Sequence, residues 1–223
     1  MEKKTLITPV FRVAFPHVFE PNKIGRNNEQ LPKEKWRYSI NMIFPKEFKD
    51  AKEKARMDDI KRAIQAAMME KWPNNNKRKA VMASEGFRKT FRDGDKKVSQ
   101  ETGEVYEGFE ESVYTTAKSK FKPDINDLKG RDLTEEEFYA GCYARASVTV
   151  FAFDNEGQGV SIGLNNLLKV KDGERLGGSG RTDIKEDFAE FLDIEPNEFD
   201  EFIDNEEREE KREESSDDDL LLC

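Results

Sequence analysis

A mainly β chain is the fold class that the sequence predicts: an OB-fold-like five-stranded barrel with one long helix, additional short strands or hairpins, and a disordered acidic tail. Three observations predict it. Segments rich in β-branched and aromatic residues, alternating apolar with polar, recur through the first 170 or so positions between Gly, Asn and Pro turns. One long stretch, residues 46–70, instead carries its apolar residues at helical spacing. The charge is split as well. Residues 181–223 hold 19 Asp and Glu against 5 Lys and Arg, a net −14, whereas the first 180 residues hold 28 acids against 33 bases, a net +5.

Leu6 to Phe19 reads as a strand rich in Val and Phe, closed by the turn Glu20-Pro21-Asn22, and residues 22–34 read as a polar loop with Gly25 and Pro32. From Trp36 to Phe44 the period is two: Trp36, Tyr38, Ile40, Met42 and Phe44 share one face, and Arg37, Ser39 and Asn41 the other. Pro45 suits the first turn of a helix. From there Phe48, Ala51, Ala55, Ile60, Ala63, Ile64, Ala67 and Met68 form an apolar stripe, and Trp72-Pro73 ends it. Residues 77–122 are expected to be short strands with turns at Asp93-Gly94 and Thr102-Gly103. Thr134 and Glu137 make a capping box before Phe138. Cys142 to Phe153 is the strongest strand signal, and Val160, Ile162 and Leu164 return on a second strand after a Gly-rich turn. Gly177 to Gly180 reads as a linker. Strands so far apart in sequence, with one helix, fit a small barrel better than an α/β sheet, and the OB-fold is the natural candidate. The expected organisation is a domain over residues 1–180 and a tail over 181–223. The tail is too charged and too poor in apolar residues to fold alone, apart from short acidic amphipathic helices expected around Phe188–Ile194 and Phe199–Ile203.

Composition excludes more than it suggests. No run approaches the roughly 20 apolar residues that a membrane helix needs, and the N-terminal apolar stretch is interrupted by Pro9 and Arg12. A cytoplasmic protein without membrane contact is expected. Cys142 and Cys223 make neither a disulfide framework nor a zinc site. With His17 as the sole histidine, Ser–His–Asp, Cys–His and His-rich metal sites lose most of their parts. His17 itself is expected to be packed or hydrogen-bonded. No catalytic residue, metal or cofactor is expected, and the chain is read as a binding protein instead of an enzyme.

Binding single-stranded nucleic acid without sequence preference needs cations along the phosphates and flat rings for the bases. On a strand both must fall on the same face, hence at alternate positions. Two segments satisfy this. Tyr114, Thr116, Lys118, Lys120 and Lys122 share one face, opposite Val113, Thr115, Ala117, Ser119 and Phe121. Tyr143, Arg145, Thr149, Phe151 and Phe153 share another, opposite a core face of Ala144, Ala146, Val148, Val150 and Ala152. Exposed strand faces are ordinarily polar, and lysines there also keep edges from pairing, so the signal lies in the two basic–aromatic faces together. The cluster Arg88 to Arg92 adds Phe91 and Arg92, and Arg12 and Arg37 complete the candidate DNA-binding set. In the tail, Asp217, Asp218 and Asp219 precede Leu220, Leu221 and Leu222. An acidic arm with an apolar tip suits a basic-rimmed hydrophobic pocket on a partner, or can compete with DNA for the chain's own basic surface.

Beyond this, the sequence resembles the phage-encoded single-stranded-DNA-binding proteins of OB-fold type. The resemblance runs from about Val10 to Gly178 and extends to the style of the tail. Its most specific stretch is Tyr139 to Val148, continuing through Gly163-Leu164-Asn165-Asn166 to Lys169–Gly178; Arg12–Pro21 and Arg92–Asp95 match less distinctively. The family implies an OB-fold body that protects single-stranded replication intermediates in the host cytoplasm, and a tail that recruits replication proteins such as polymerase, primase or helicase. A homo-oligomer is left open. Family tails typically end in an aromatic residue, and Leu-Leu-Leu-Cys departs from that pattern. Three other readings remain at this point: a strand-annealing recombination protein, a metal-dependent nuclease using scattered carboxylates, and a DNA-mimic inhibitor acting through the tail.

Overall fold

The computed structural model describes residues 5–25, 29–99, 102–155 and 157–177. The expectations for the 178–180 linker and for the tail, including Asp217 to Leu222, lie outside the described residues. Among the described residues, nine strands and two α-helices follow one another as β1 (Leu6–Ile7), β2 (Phe11–Asn22), β3 (Arg37–Pro45), α1 (Ala51–Lys71), α2 (Asn75–Ala83), β4 (Phe87–Arg88), β5 (Arg92–Asp93), β6 (Ser112–Ser119), β7 (Ile125–Asn126), β8 (Tyr143–Phe153) and β9 (Gln158–Lys171).

The five long strands pair in a circuit. β2 pairs β3, β3 pairs β6, β6 pairs β9, β9 pairs β8, and β8 returns to β2. All of these pairs are antiparallel except β6–β9. The circuit is thick along β8–β9, which stay paired from Tyr143↔Lys171 to Phe153↔Gly159, and along β3–β6. It is thin at two seams: β2–β8 holds Phe11↔Ala144 and Arg12↔Tyr143, and β6–β9 holds Ala117↔Ile162 and Lys118↔Gly163. The short strands β1, β4, β5 and β7 attach to the outside of this path.

Alternation explains the core inside the circuit. Phe11, Val13, Ile40, Met42, Phe44, Ala144, Ala146, Val148, Ile162 and Leu164 are buried together, and Met57 and Ile60 of α1 close one side. Val150 and Ala152, expected to continue the core face of β8, are only half-buried, because the core thins towards the β8–β9 turn. In β2 the buried positions change parity, from Phe11 and Val13 to Val18. The pairing shows why: Ala14 faces Asn41 and His17 faces Ser39, so β2 uses one residue more than β3 over this span. This is a β-bulge. It leaves Phe15 at φ +45° and turns His17 outward, so that His17 is exposed instead of packed.

Three other local expectations need correction. The helix begins at Ala51, not after Pro45: Pro45 is the last residue of β3, opposite Ser112, and the Asp50 carboxylate caps the helix by accepting from the Lys52 and Glu53 amides. Ala51 and Ala55 are therefore on exposed surface at the first turns. Residues 75–83 form α2, capped by the Asn74 side chain, where short strands were expected; Val81 is its one buried residue. Finally, β3 is not one-sided. Ile43 points away from Ile40, Met42 and Phe44, into a second cluster with Ala14, Phe109 and Tyr114. The long connection between β5 and β6, described at residues 94–99 and 102–111, folds back over the sheet to make that cluster. Gly94 permits the close crossing, because a Cβ there would lie 2.1 Å from the Phe109 carbonyl oxygen. Half of the capping box forms, over a turn: the Glu137 carboxylate accepts from the Thr134 amide at 3.0 Å and from the Thr134 hydroxyl at 3.2 Å.

Candidate nucleic-acid interface

A groove of about 800 Å³ runs along the thin β6–β9 seam. β6 supplies Tyr114, Thr116 and Lys118; β4 and the turn after it supply Phe87, Arg88, Lys89 and Thr90; β5 supplies Arg92; the end of β8 supplies Phe151 and Phe153; Lys97 comes from the folded-back connection. Five cations therefore line it, Arg88, Lys89, Arg92, Lys97 and Lys118, and among the described lining residues there is no carboxylate. Among the described residues no acid pairs with Arg88, Lys89, Arg92 or Lys97 either.

The rings are held by the pairing of β8 with β9. Phe151 lies opposite Ser161 and Phe153 opposite Gly159. Gly159 matters because a Cβ there would lie 2.6 Å from the Arg88 carbonyl oxygen and 3.1 Å from the Phe153 ring. Its lack of a side chain lets β4 approach β9 and lets Phe153 lie across the strand. The Arg88 guanidinium sits 5.9 Å from the Phe153 ring centroid, a cation–π arrangement. Arg92 sits 4.6 Å over Tyr114 and donates to the Thr116 hydroxyl at 2.9 Å, which in turn donates to Asn41 Oδ1 at 2.7 Å. Lys97 is partly buried, and that desolvation, with Arg92 beside it, holds its pKa below the ordinary lysine value.

Arg92, Tyr114, Lys118, Phe151 and Phe153 thus come together in one groove. Of these five, Tyr114 is only 5% exposed; its ring packs edge-on against Phe109 at 5.2 Å and is covered by Arg92, so it supports the groove floor and offers no free face. The other residues singled out from the sequence stand elsewhere. Arg145 is not an open cation: both its terminal nitrogens hold Glu53 of α1, at 2.6 and 3.1 Å, and one also donates to the Thr8 carbonyl. That guanidinium is the main reason the Glu53 carboxyl titrates below its usual range. Tyr143 lies under the Lys171 ammonium at 4.4 Å, away from the groove. Phe91 packs on the core against Phe44. Arg12 donates to the Glu174 carbonyl, and Arg37 to the carbonyls of Glu34 and Trp36. Lys120 and Lys122 are exposed beyond the end of β6, with Lys122 5.8 Å from the Phe19 ring.

Sequence reading passed over Phe87, Lys97, Asn41 and Asn155, which also line the groove, and included Arg88 and Lys89 only as part of a cluster. β4 is two residues long, too short to show alternation. Lys97 reaches the groove only through the back-folding of the 94–111 connection, which leaves no periodic signal. Among the described residues no group of three or more His, Cys, Asp or Glu is placed to hold a metal ion, and no helix is long and apolar enough to cross a membrane.

Comparison with known proteins agrees with this architecture. Protein p50 of Acyrthosiphon pisum secondary endosymbiont phage 1 is 30% identical over 179 residues, covering 78% of this chain and 88% of that protein. The single-stranded DNA-binding protein of bacteriophage Enc34 superposes with a TM-score of 0.57 at 20% identity, over 82% of this chain and 89% of its own. The same protein in complex with ssDNA superposes equally well, TM-score 0.57 at 20% identity, over 78% and 89%. These superpositions establish a shared fold. The model of the family described as "Enterobacter phage Enc34, ssDNA-binding protein" matches residues 4–202, and the chain belongs to that family.

Proposed function

We propose that this chain binds single-stranded DNA in the β6–β9 groove, with little sequence preference, and so coats and protects single strands during phage DNA replication and recombination. The observation that carries the reading is the groove lining: five cations, no described carboxylate, and the Phe151 and Phe153 rings on one strand. Cations neutralise phosphates while rings stack on bases of any identity. Family membership and the fold shared with a protein solved in complex with ssDNA support it. The acidic residues after 181, ending in Asp217 to Leu222, would recruit polymerase, primase or helicase, in the cytoplasm of the host cell. No covalent chemistry is assigned to the chain.

Fluorescence anisotropy with a labelled oligonucleotide, single-stranded and duplex, over a salt series tests the groove. Single strands should bind more tightly, with a log–log salt slope of roughly −2 to −4, since each neutralised phosphate contributes about −0.7. Equal affinity for the duplex would remove the reading. For recruitment, a chain lacking residues 205–223 should keep its fold and lose capture of the replication partner.

A further inference from the structure

We propose that Phe15 and Tyr106 form a second base-stacking platform, joined to the groove by Lys97, onto which a single strand longer than the groove continues. The inference rests on the groove being the single-strand site.

Phe15 is poorly explained by packing alone. It is 42% exposed, while its neighbour Ala14 is 2% exposed and Val13 is fully buried. At φ +45° it occupies the left-handed region, which disfavours a bulky L side chain and which Gly or Asn fills more easily. A large ring kept both strained and exposed, at a bulge, is the pattern of a position retained for binding. The ring is nevertheless held in place. Tyr106 meets it edge-on, centroids 5.3 Å apart and planes at 90°, and Phe109 braces it from 6.1 Å.

Lys97 makes the connection. Its ammonium lies 5.6 Å from the Phe15 centroid and 4.9 Å from that of Tyr106, and the same residue lines the groove beside Arg92. Its backbone is fixed by bonds to Gly94 and Tyr106, at 2.8 and 2.9 Å. The sequence of groups along the surface is thus rings (Phe151, Phe153), cations (Arg88, Arg92, Lys97), then rings again (Phe15, Tyr106). A strand of bases joined by phosphates presents the complementary order. The lowered pKa of Lys97 fits as well, because a phosphate bound there would stabilise the charge that burial disfavours.

The experiment is an oligonucleotide length series on the full chain, read by anisotropy, with Phe15→Asn, Phe15→Tyr and Phe153→Ala. Asn tolerates the left-handed backbone, so Phe15→Asn should fold, which circular dichroism checks. Short oligonucleotides that fill only the groove should bind Phe15→Asn like the parent, and longer ones about five-fold or more weakly, the loss of one stacked base. Phe15→Tyr keeps a ring and should restore the long-oligonucleotide affinity. Phe153→Ala should weaken binding at every length. If Phe15→Asn binds all lengths like the parent while Phe153→Ala is weakened, the platform is overturned and the groove stands. If both bind like the parent, the groove reading falls and the platform with it.

Discussion

The outward face of β8 changes character along its length. In its first half Tyr143 sits under Lys171 and Arg145 is clamped by Glu53, with side chains only 24% and 20% exposed. Nearby, Lys169 meets Asp172 at 2.7 Å and Arg12 lies 3.9 Å from Glu174. In its second half Phe151 and Phe153 open into a groove whose described lining holds five cations and no acid. The same alternation thus produces two different surfaces. Where α1 and the segment after β9 cover the strand, they bring carboxylates and the cations become ties. Where β4 and β5 line the site instead, they bring Arg88 and Arg92, which pair with no acid among the described residues, and positive charge faces solvent in a concave site. Charge complementarity between elements, more than basic content, separates cations that hold the fold from those available to a polyanion.

The largest expected effect lies on the tied side. Arg145→Met should destabilise the chain by about 2–3 kcal/mol, since removing one partner strands a half-buried Glu53, with DNA affinity unchanged for the folded fraction. Denaturant unfolding and anisotropy measure the two. Unchanged stability with weakened binding would move Arg145 back into the interface. The pair also fixes a pH dependence. The folded pKa of Glu53 is lowered from 4.5, chiefly by Arg145, so its contribution is present above about pH 4.5 and is lost as pH falls through the lowered value. Glu137, pulled down to about 2 by Arg131 and the Thr134 amide, adds acid sensitivity in the window between those two values. Glu137→Gln should therefore flatten the stability profile between pH 4.5 and 2 and leave pH 7 binding alone.

On the open side the effects should appear in affinity and not in stability. Phe153→Ala should weaken single-strand binding by about 1–3 kcal/mol if the ring stacks on a base, while the melting midpoint stays near that of the parent because the ring is only half-buried. Arg88→Ala should act more gently, lessening the magnitude of the salt slope by about 0.7 for one lost phosphate contact. An unaltered slope would place Arg88 in a purely structural role against Phe153.

How much of this was legible in the sequence follows the same division. Period-two alternation located β3, β6 and β8 and the core residues Ile40, Met42, Ala144, Ala146 and Val148, because those positions answer only to which side of a strand they occupy. It also grouped Phe151 with Phe153, and Lys118 with Tyr114. It could not tell what lies over each face. Tyr114 and Ile43 are buried because the 94–111 connection folds back on them, and Arg145 is neutralised by a residue 92 positions earlier. Helix starts failed for a local reason: Pro45 permits a first turn, but the Asp50 carboxylate supplies the cap five residues later. The basic stretch from Lys77 to Lys79 carries no helical apolar stripe of its own, whereas the Asn74 cap begins a helix there.

Lys97 offers the finest test, since it combines both kinds of behaviour in one residue. Burial and the neighbouring Arg92 lower its pKa, which means that the folded chain binds this proton less tightly than the unfolded chain does. At neutral pH the charge therefore costs stability, and the cost shrinks as pH rises through the folded value and is gone above the ordinary value of 10.5. Lys97→Met keeps an unbranched chain over Phe15 and Tyr106 while removing the charge. Its melting midpoint at pH 7 should be equal to or above that of the parent, the opposite of Arg145→Met. Single-strand affinity should fall a few-fold and the magnitude of the salt slope should drop by about 0.7. A thermal melt and a salt series on the same preparation give both numbers. A lowered midpoint with an unchanged slope would make Lys97 another tie, held by the two rings, and would erase the contrast between the two faces where it is drawn most narrowly. A raised or equal midpoint with a weaker slope would show a cation kept against the interest of stability, for which a bound phosphate is the physical reason.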